Sequence, residues 1–194
     1  MLYSIRIFCI LIVLLIVNKP MLAQDAEDQA AQMQIWTEYM TPGSMHEMMA
    51  KSVGDWKTIS RFWMDPAGEP MESEGTGKTE MLLGGRYQKS THNFTMMGMP
   101  TEGIFLMGFD NATQEFTAVW IDNIGTGTAI AKGKYDESTN SIIFNGTMVD
   151  PMSKQDINFK EVYKYLDDDH HLLEMYMVNN GQEIKSMEIE FFRQ

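Results

Sequence analysis

Cysteine is almost missing from this chain: one in 194 residues, Cys9. It lies inside FCILIVLLIV, residues 8–17, ten apolar positions following Arg6. A basic start, an apolar run of about ten residues and a small residue at the end form the layout of a secretory leader. Cleavage is expected after Ala23. The run is too short for a bilayer, which needs about 20 apolar residues, so no membrane span is expected after cleavage. The mature chain would then lack disulfides, a thiol nucleophile and thiolate metal ligands.

Positive charge is also scarce. Lys and Arg number 15 against 27 Asp and Glu, a net charge of −12. Losing Arg6 and Lys19 with the leader takes it to −14. Such a chain repels phosphate backbones, which excludes nucleic acid as a partner class. Gly-x-Ser-x-Gly and the phosphate-binding glycine loop are absent, so no catalytic residue is assigned. The histidines, His46, His92, His170 and His171, show neither HxH nor HExxH spacing. Adjacent histidines on a strand point to opposite faces. No metal site and no cofactor is assigned.

Methionine, in contrast, is abundant at 19 residues. TMMGMPTEG, residues 95–103, and MHEMM, residues 45–49, are its densest stretches. Thioethers suit soft Cu(I), but methionine also fills irregular gaps in cores and adaptable surfaces. The methionines are spread along the chain, and copper is the less favoured reading.

Three segments follow: a leader over 1–23, a helical arm over 24–53 and a β domain over 54–194. In the arm, Met33, Trp36, Tyr39 and Met40 recur at three- and four-residue steps, and Thr41-Pro42-Gly43 breaks the helix. Ser44 and Glu47 have capping-box spacing, which predicts a second short helix near 45–52. Beyond Trp56, turn chemistry in DPAGEP, LGG, GMPTEG, FDNATQE, DNIGTG, YDESTN, VDPMSK, LDDDH and VNNGQE separates about ten short strands. A mainly β, antiparallel up-and-down barrel preceded by one or two short helices is expected, with a sandwich as the alternative.

Alternation assigns the faces. Phe116, Ala118, Trp120 and Asp122 share one. Ile157, Phe159, Glu161, Tyr163 and Tyr165 share another. Leu172, Glu174 and Tyr176 share a third. Three inner faces thus carry a carboxylate beside aromatics, and Arg86 in GGRY is the candidate counter-charge.

DPAGEPMESEGTGKTEMLLGGRY, MMGMPTEGIFLMGFDN, VWID, DPMSKQ and SMEIEFFRQ, in that order, resemble the bacterial family catalogued as domain of unknown function 1579. The resemblance runs from about Gly54 to the C-terminus. It implies an antiparallel barrel-like fold, includes secreted members with a methionine-rich helical arm, and carries no assigned activity. Gly54-Asp55-Trp56 after a helix, with Arg193 as the penultimate residue, is also similar to the lipocalin-type barrels. Those open on Gly-x-Trp and close with an Arg stacked on that Trp. The chain departs from them in lacking a disulfide and in strand count.

The expected function is a secreted or periplasmic binding module for a small apolar or amphipathic ligand. Arg86, Trp120, Asp122, Glu161, Tyr163 and Glu174 are its candidate contacts. The alternatives are a hydrolase- or isomerase-like enzyme using buried carboxylates and a purely structural module. The arm has two expected uses: a lid over the barrel mouth, or an apolar stripe joining a partner chain such as a second copy.

Overall fold

The computed structural model describes residues 21–194, with side chains from Glu27 onward. The leader expected over 1–23 lies almost wholly outside the described residues. The chain divides into two units, one ending at Thr41 and one running from Pro42 to Gln194. In the first, helix α1 (Met21–Met40) leaves Met33, Trp36, Tyr39 and Met40 about half exposed or more.

The second unit opens with α2 (Ser44–Ala50). The Ser44–Glu47 capping box does not form. Gly43 is the N-cap, and its N–H donates to His46 Nδ1 at 3.0 Å. The helix starts one residue early, so the third helical position falls on His46, whose ring supplies the acceptor. His46 and Met49 are buried, and Met45 and Met48 pack against the same core. MHEMM is therefore the stopper at one end of the domain.

Ten strands follow: β1 (Gly54–Phe62), β2 (Met71–Leu82), β3 (Tyr87–Met96), β4 (Met99–Asp110), β5 (Glu115–Asp122), β6 (Ala129–Asp136), β7 (Ser141–Val149), β8 (Asp156–Tyr165), β9 (His170–Asn179) and β10 (Gln182–Arg193). Every neighbour pair is antiparallel, and β1 pairs with both β2 and β10, closing the barrel. Closure removes the open edges a ten-strand meander would expose. The punctuation works as expected at most turns. Asn180 (φ 50°) and Gly181 (φ 80°) form the tight β9–β10 hairpin, where both central residues need positive φ.

The TMMGMP turn differs from expectation in one respect. Met97 (φ 51°) and Gly98 (φ 78°) make the whole bend, and Met96 already pairs with Met99. Pro100 stands inside β4 opposite Thr95. β5 ends opposite Gly103, so the missing N–H of Pro100 costs no ladder bond.

Large residues fill the interior by lying on small ones. A Cβ on Gly103 would stand 2.2 Å from the Trp120 ring, one on Gly133 2.6 Å from Phe144, and one on Gly146 2.5 Å from Phe159. Filling is uneven. Phe116, Ile142, Phe144 and Met49 are fully buried at the α2 end.

That end is fastened by Arg193. Its guanidinium lies over the Trp56 ring, 4.3 Å from the centroid. It donates to the carbonyls of Lys51, Val53 and Asp168 and to the Asp169 carboxylate. Gly54 adopts φ 139°, and any Cβ there would sit 2.8 Å from Arg193 Nη1. The Gly-x-Trp signature thus has a physical reason: the glycine admits the guanidinium, and the tryptophan receives it. Arg193→Lys keeps the charge but loses the planar fork. It should destabilise the barrel by about 2 kcal/mol in denaturant unfolding; an unchanged midpoint would show that the clasp is decorative.

Candidate functional site

At the end opposite α2 the barrel opens into a cavity of about 440 Å³. Its lining is unusual in kind. Eight methionines contribute, with Phe62 and Trp63, and not one leucine, isoleucine or valine. Met64 and Met71 flank the β1–β2 loop, and Met96 and Met97 lie at the β3–β4 hairpin. Met148, Met175, Met177 and Met187 come from β7, β9 and β10. Methionines dispersed over more than 120 positions of sequence meet at one mouth because alternate strand ends converge there. Unbranched thioethers give an apolar lip that reshapes around a guest.

Below the lip the lumen is only partly filled. His92, Phe105, Trp120, Glu161, Tyr163 and Met175 all point inward, yet each keeps part of its surface accessible. Their counterparts at the stopper end, such as Phe116 and Phe144, keep none. The inward groups are far from bulk water all the same. Burial alone pushes the Glu161 carboxyl from 4.5 up to about 7 and the His92 imidazole from 6.5 down to about 4. The surface they keep therefore faces the lumen.

The expected residues separate into three groups. Trp120, Glu161 and Tyr163 stand in the lumen. Trp120 Nε1 donates to Asp122 at 2.7 Å, and Asp122 also accepts the N–H groups of Ile124 and Gly125. Asp122 thus caps the turn after β5 and orients the indole. Tyr163 is hydrogen-bonded through its hydroxyl to His171 Nδ1 at 2.9 Å. Burial, then Arg193, brings His171 down to about 4, so it is neutral here at pH 7. Glu161 has no such partner: its Oε1 is buried without a hydrogen bond.

Arg86 and Glu174 lie elsewhere. Arg86 is in the β2–β3 turn at the stopper end, donating to the carbonyls of Leu83 and Gly84. Glu174 points out of the barrel, which corrects its inward assignment. In β9 the inward set is His171, Leu173, Met175 and Met177, fixed by pairing Leu173 with Tyr163 and Met175 with Glu161. Outside, Glu174 bridges Lys164 at 2.6 Å and Lys185 at 2.7 Å. Burial alone would raise its pKa, but the two ammonium groups outweigh that and bring it to about 2. Lys185 also pairs with Glu188, which meets Arg61, and Arg61 meets Glu190. This belt on the outer wall is a structural ion network. Of the three expected acids, Glu161 stands in the lumen, Asp122 is held by the Trp120 indole and Glu174 faces outward.

Nothing in the sequence singles out His92 or His171 as an inward histidine; the structure turns both inward, His92 against Trp120 and Phe191 and His171 against Trp56 and Tyr163.

Residues 41–193 match the family described as "Protein of unknown function (DUF1579)". No curated protein matches the chain in sequence. Among solved structures, the chain is similar to Rv2717c from M. tuberculosis, with TM-score 0.59 and 14% identity over 79% of this chain and 99% of that one. It is also similar to the S-type phycobiliprotein lyase CPES from Guillardia theta, with TM-score 0.54 and 9% identity over 78% and 93%. At such identities the likeness concerns the fold.

Two outcomes are expected. A carboxyl whose pKa is raised on folding makes stability fall as pH rises between its unfolded and folded values. For Glu161 that window is about 4.5 to about 7. His92 and His171, lowered to about 4, act in the opposite sense between about 4 and 6.5. The stability advantage of Glu161→Gln over the parent should therefore grow across pH 5 to 7. A pH-independent difference in thermal midpoints would contradict this. Met97 holds a left-handed turn position that Asn180 fills in the other hairpin. Met97→Asn should stabilise by about 0.5–1 kcal/mol in urea unfolding, and no gain would mean the turn is unstrained.

Proposed function

We propose, on the premise that this chain belongs to the DUF1579 family of proteins of unknown function, that it is an exported carrier of a small, partly apolar molecule. The guest enters through the methionine lip and rests in the hollow half of the barrel. The observation that carries the reading is the cavity of about 440 Å³, inside the range of ligand pockets, roughly 300–1,000 Å³. Met175 in its lining pairs with Glu161, and the inward side chains around that acid keep accessible surface. A structural module gains nothing from an unfilled lumen, since voids cost stability.

In this reading Trp120 and Tyr163 are aromatic walls, and Glu161 is the polar group at depth. Asp122 holds the indole in place. Arg86 and Glu174 have no part in it. α2 and the Arg193 clasp keep the far end shut, so the barrel is a cup with one opening. The leader-like segment over residues 1–23 supports a secreted or periplasmic location. The barrels similar to it, a phycobiliprotein lyase among them, support the architecture and leave the guest open.

Nile red, a neutral dye that brightens in apolar surroundings, tests the reading. It should bind the purified protein with about one-to-one stoichiometry. Met148→Trp, which narrows the lip, should weaken binding by about tenfold with the thermal midpoint nearly unchanged. Absence of dye binding by the folded parent sinks the carrier.

A further inference from the structure

The lumen has an electrostatic character that constrains its guest, an inference that rests on the carrier reading above. Strand alternation sends Lys57, Lys78, Lys89, Lys132, Lys134, Lys160, Lys164 and Lys185 to the outer wall. Arg61 is also outside, in the ion belt. The inward cation among the described residues is Arg193, at the closed end, where Trp56 and four backbone or carboxylate partners occupy it. Among the described residues, Asp122 and Glu161 point inward, and Glu72, at the lip, is paired with Arg61. Asp122 is spoken for by the Trp120 indole and two backbone N–H groups.

Glu161 is different. It stands midway along β8, opposite Phe144 on β7 and Met175 on β9. Met175 belongs to the lining of the mouth cavity, so one flexible side chain separates the acid from a guest in the cup. Its Oε1 is buried without a partner, and burial is the sole cause of its displaced titration. A buried polar atom left unpaired costs about 1–3 kcal/mol. Nothing in the packing around Glu161 recovers that cost. A methionine there would leave no polar atom unpaired.

We propose that Glu161 is the counter-group for an amphipathic amine, so that the lumen selects guests with an ammonium or N–H head and an apolar tail. An ammonium placed there donates to the orphaned oxygen, and Trp120 and Tyr163 offer π faces to a cation. The methionine lip surrounds the tail. A carboxylate-headed chain such as a fatty acid would meet a carboxyl with no free cation within the cup. Burying an unpaired charge of that kind is strongly unfavourable. The net charge of −12 favours the approach of cations in the same sense.

The test is displacement of Nile red from the full chain by dodecylamine and by dodecanoate, matched in tail length, at pH 8. The amine should displace the dye at about tenfold lower concentration than the acid. In Glu161→Gln, close in shape to the protonated parent, the ratio of amine to acid displacement, read against that variant's own dye affinity, should fall to about one. If it fails to fold, Glu161→Met tests the same point. Equal displacement by the two chains, or a preference that survives in the variant, overturns the amine assignment and leaves the carrier standing. Failure of the dye to bind the parent overturns both.

Discussion

Seven residue pairs, from Trp56–Arg193 to Phe62–Met187, join the first strand to the last. Every other feature of the barrel depends on that seam. A ten-strand meander whose ends stay apart leaves two edges and no enclosed space. Arg193 stands at the head of the seam, where one planar group reaches three segments: Trp56 on β1, the carbonyls that follow α2, and the Asp168–Asp169 turn between β8 and β9. A lysine offers a point charge in the same place but cannot reach them together. Fastening that end lets the other remain open.

The interior is divided accordingly. Near α2, Phe116, Phe144, Ile142 and Met49 form a dry plug, and hydrophobic burial there supplies stability. Toward the mouth, aromatic rings lie flat on glycines of neighbouring strands, as Trp120 does on Gly103. Charge is sorted in the same way. Acids and bases pair on the outside, around Arg61, Glu188, Lys185 and Glu174, while one carboxyl, Glu161, is left alone within. The outer belt holds register; the inner acid has no structural partner.

Much of this was legible beforehand. All ten strands follow from turn residues and alternation, and the resemblance to lipocalin-type barrels implied the pairing of the Gly54-Asp55-Trp56 opening with Arg193. Trp120, Glu161 and Tyr163 were assigned inward because their strands alternate clearly. Glu174 was assigned inward as well, and the structure turns it out: HHLLEMYM is apolar on both faces, and the pairing of Met175 with Glu161 decides between them. Arg86 was chosen because a guanidinium offers a planar fork of donors and stays charged. Its place in a turn puts it at the stopper end, where backbone carbonyls take its donors. The Ser44 cap was displaced by Gly43 because a histidine at the third helical position supplied the acceptor instead.

The sequence by itself determined the class of fold and the number of strands, which depend on local periodicity and turn chemistry written residue by residue, and its ordered motifs pointed to the family. Three-dimensional closure alone decided that scattered methionines form one lip, that MHEMM is a stopper, and that Glu161 stands unpaired in the cup. Each is a matter of which strand ends meet and which side chains share a layer. Such proximity is set by register and barrel closure across distant segments, and no single stretch of chain encodes it.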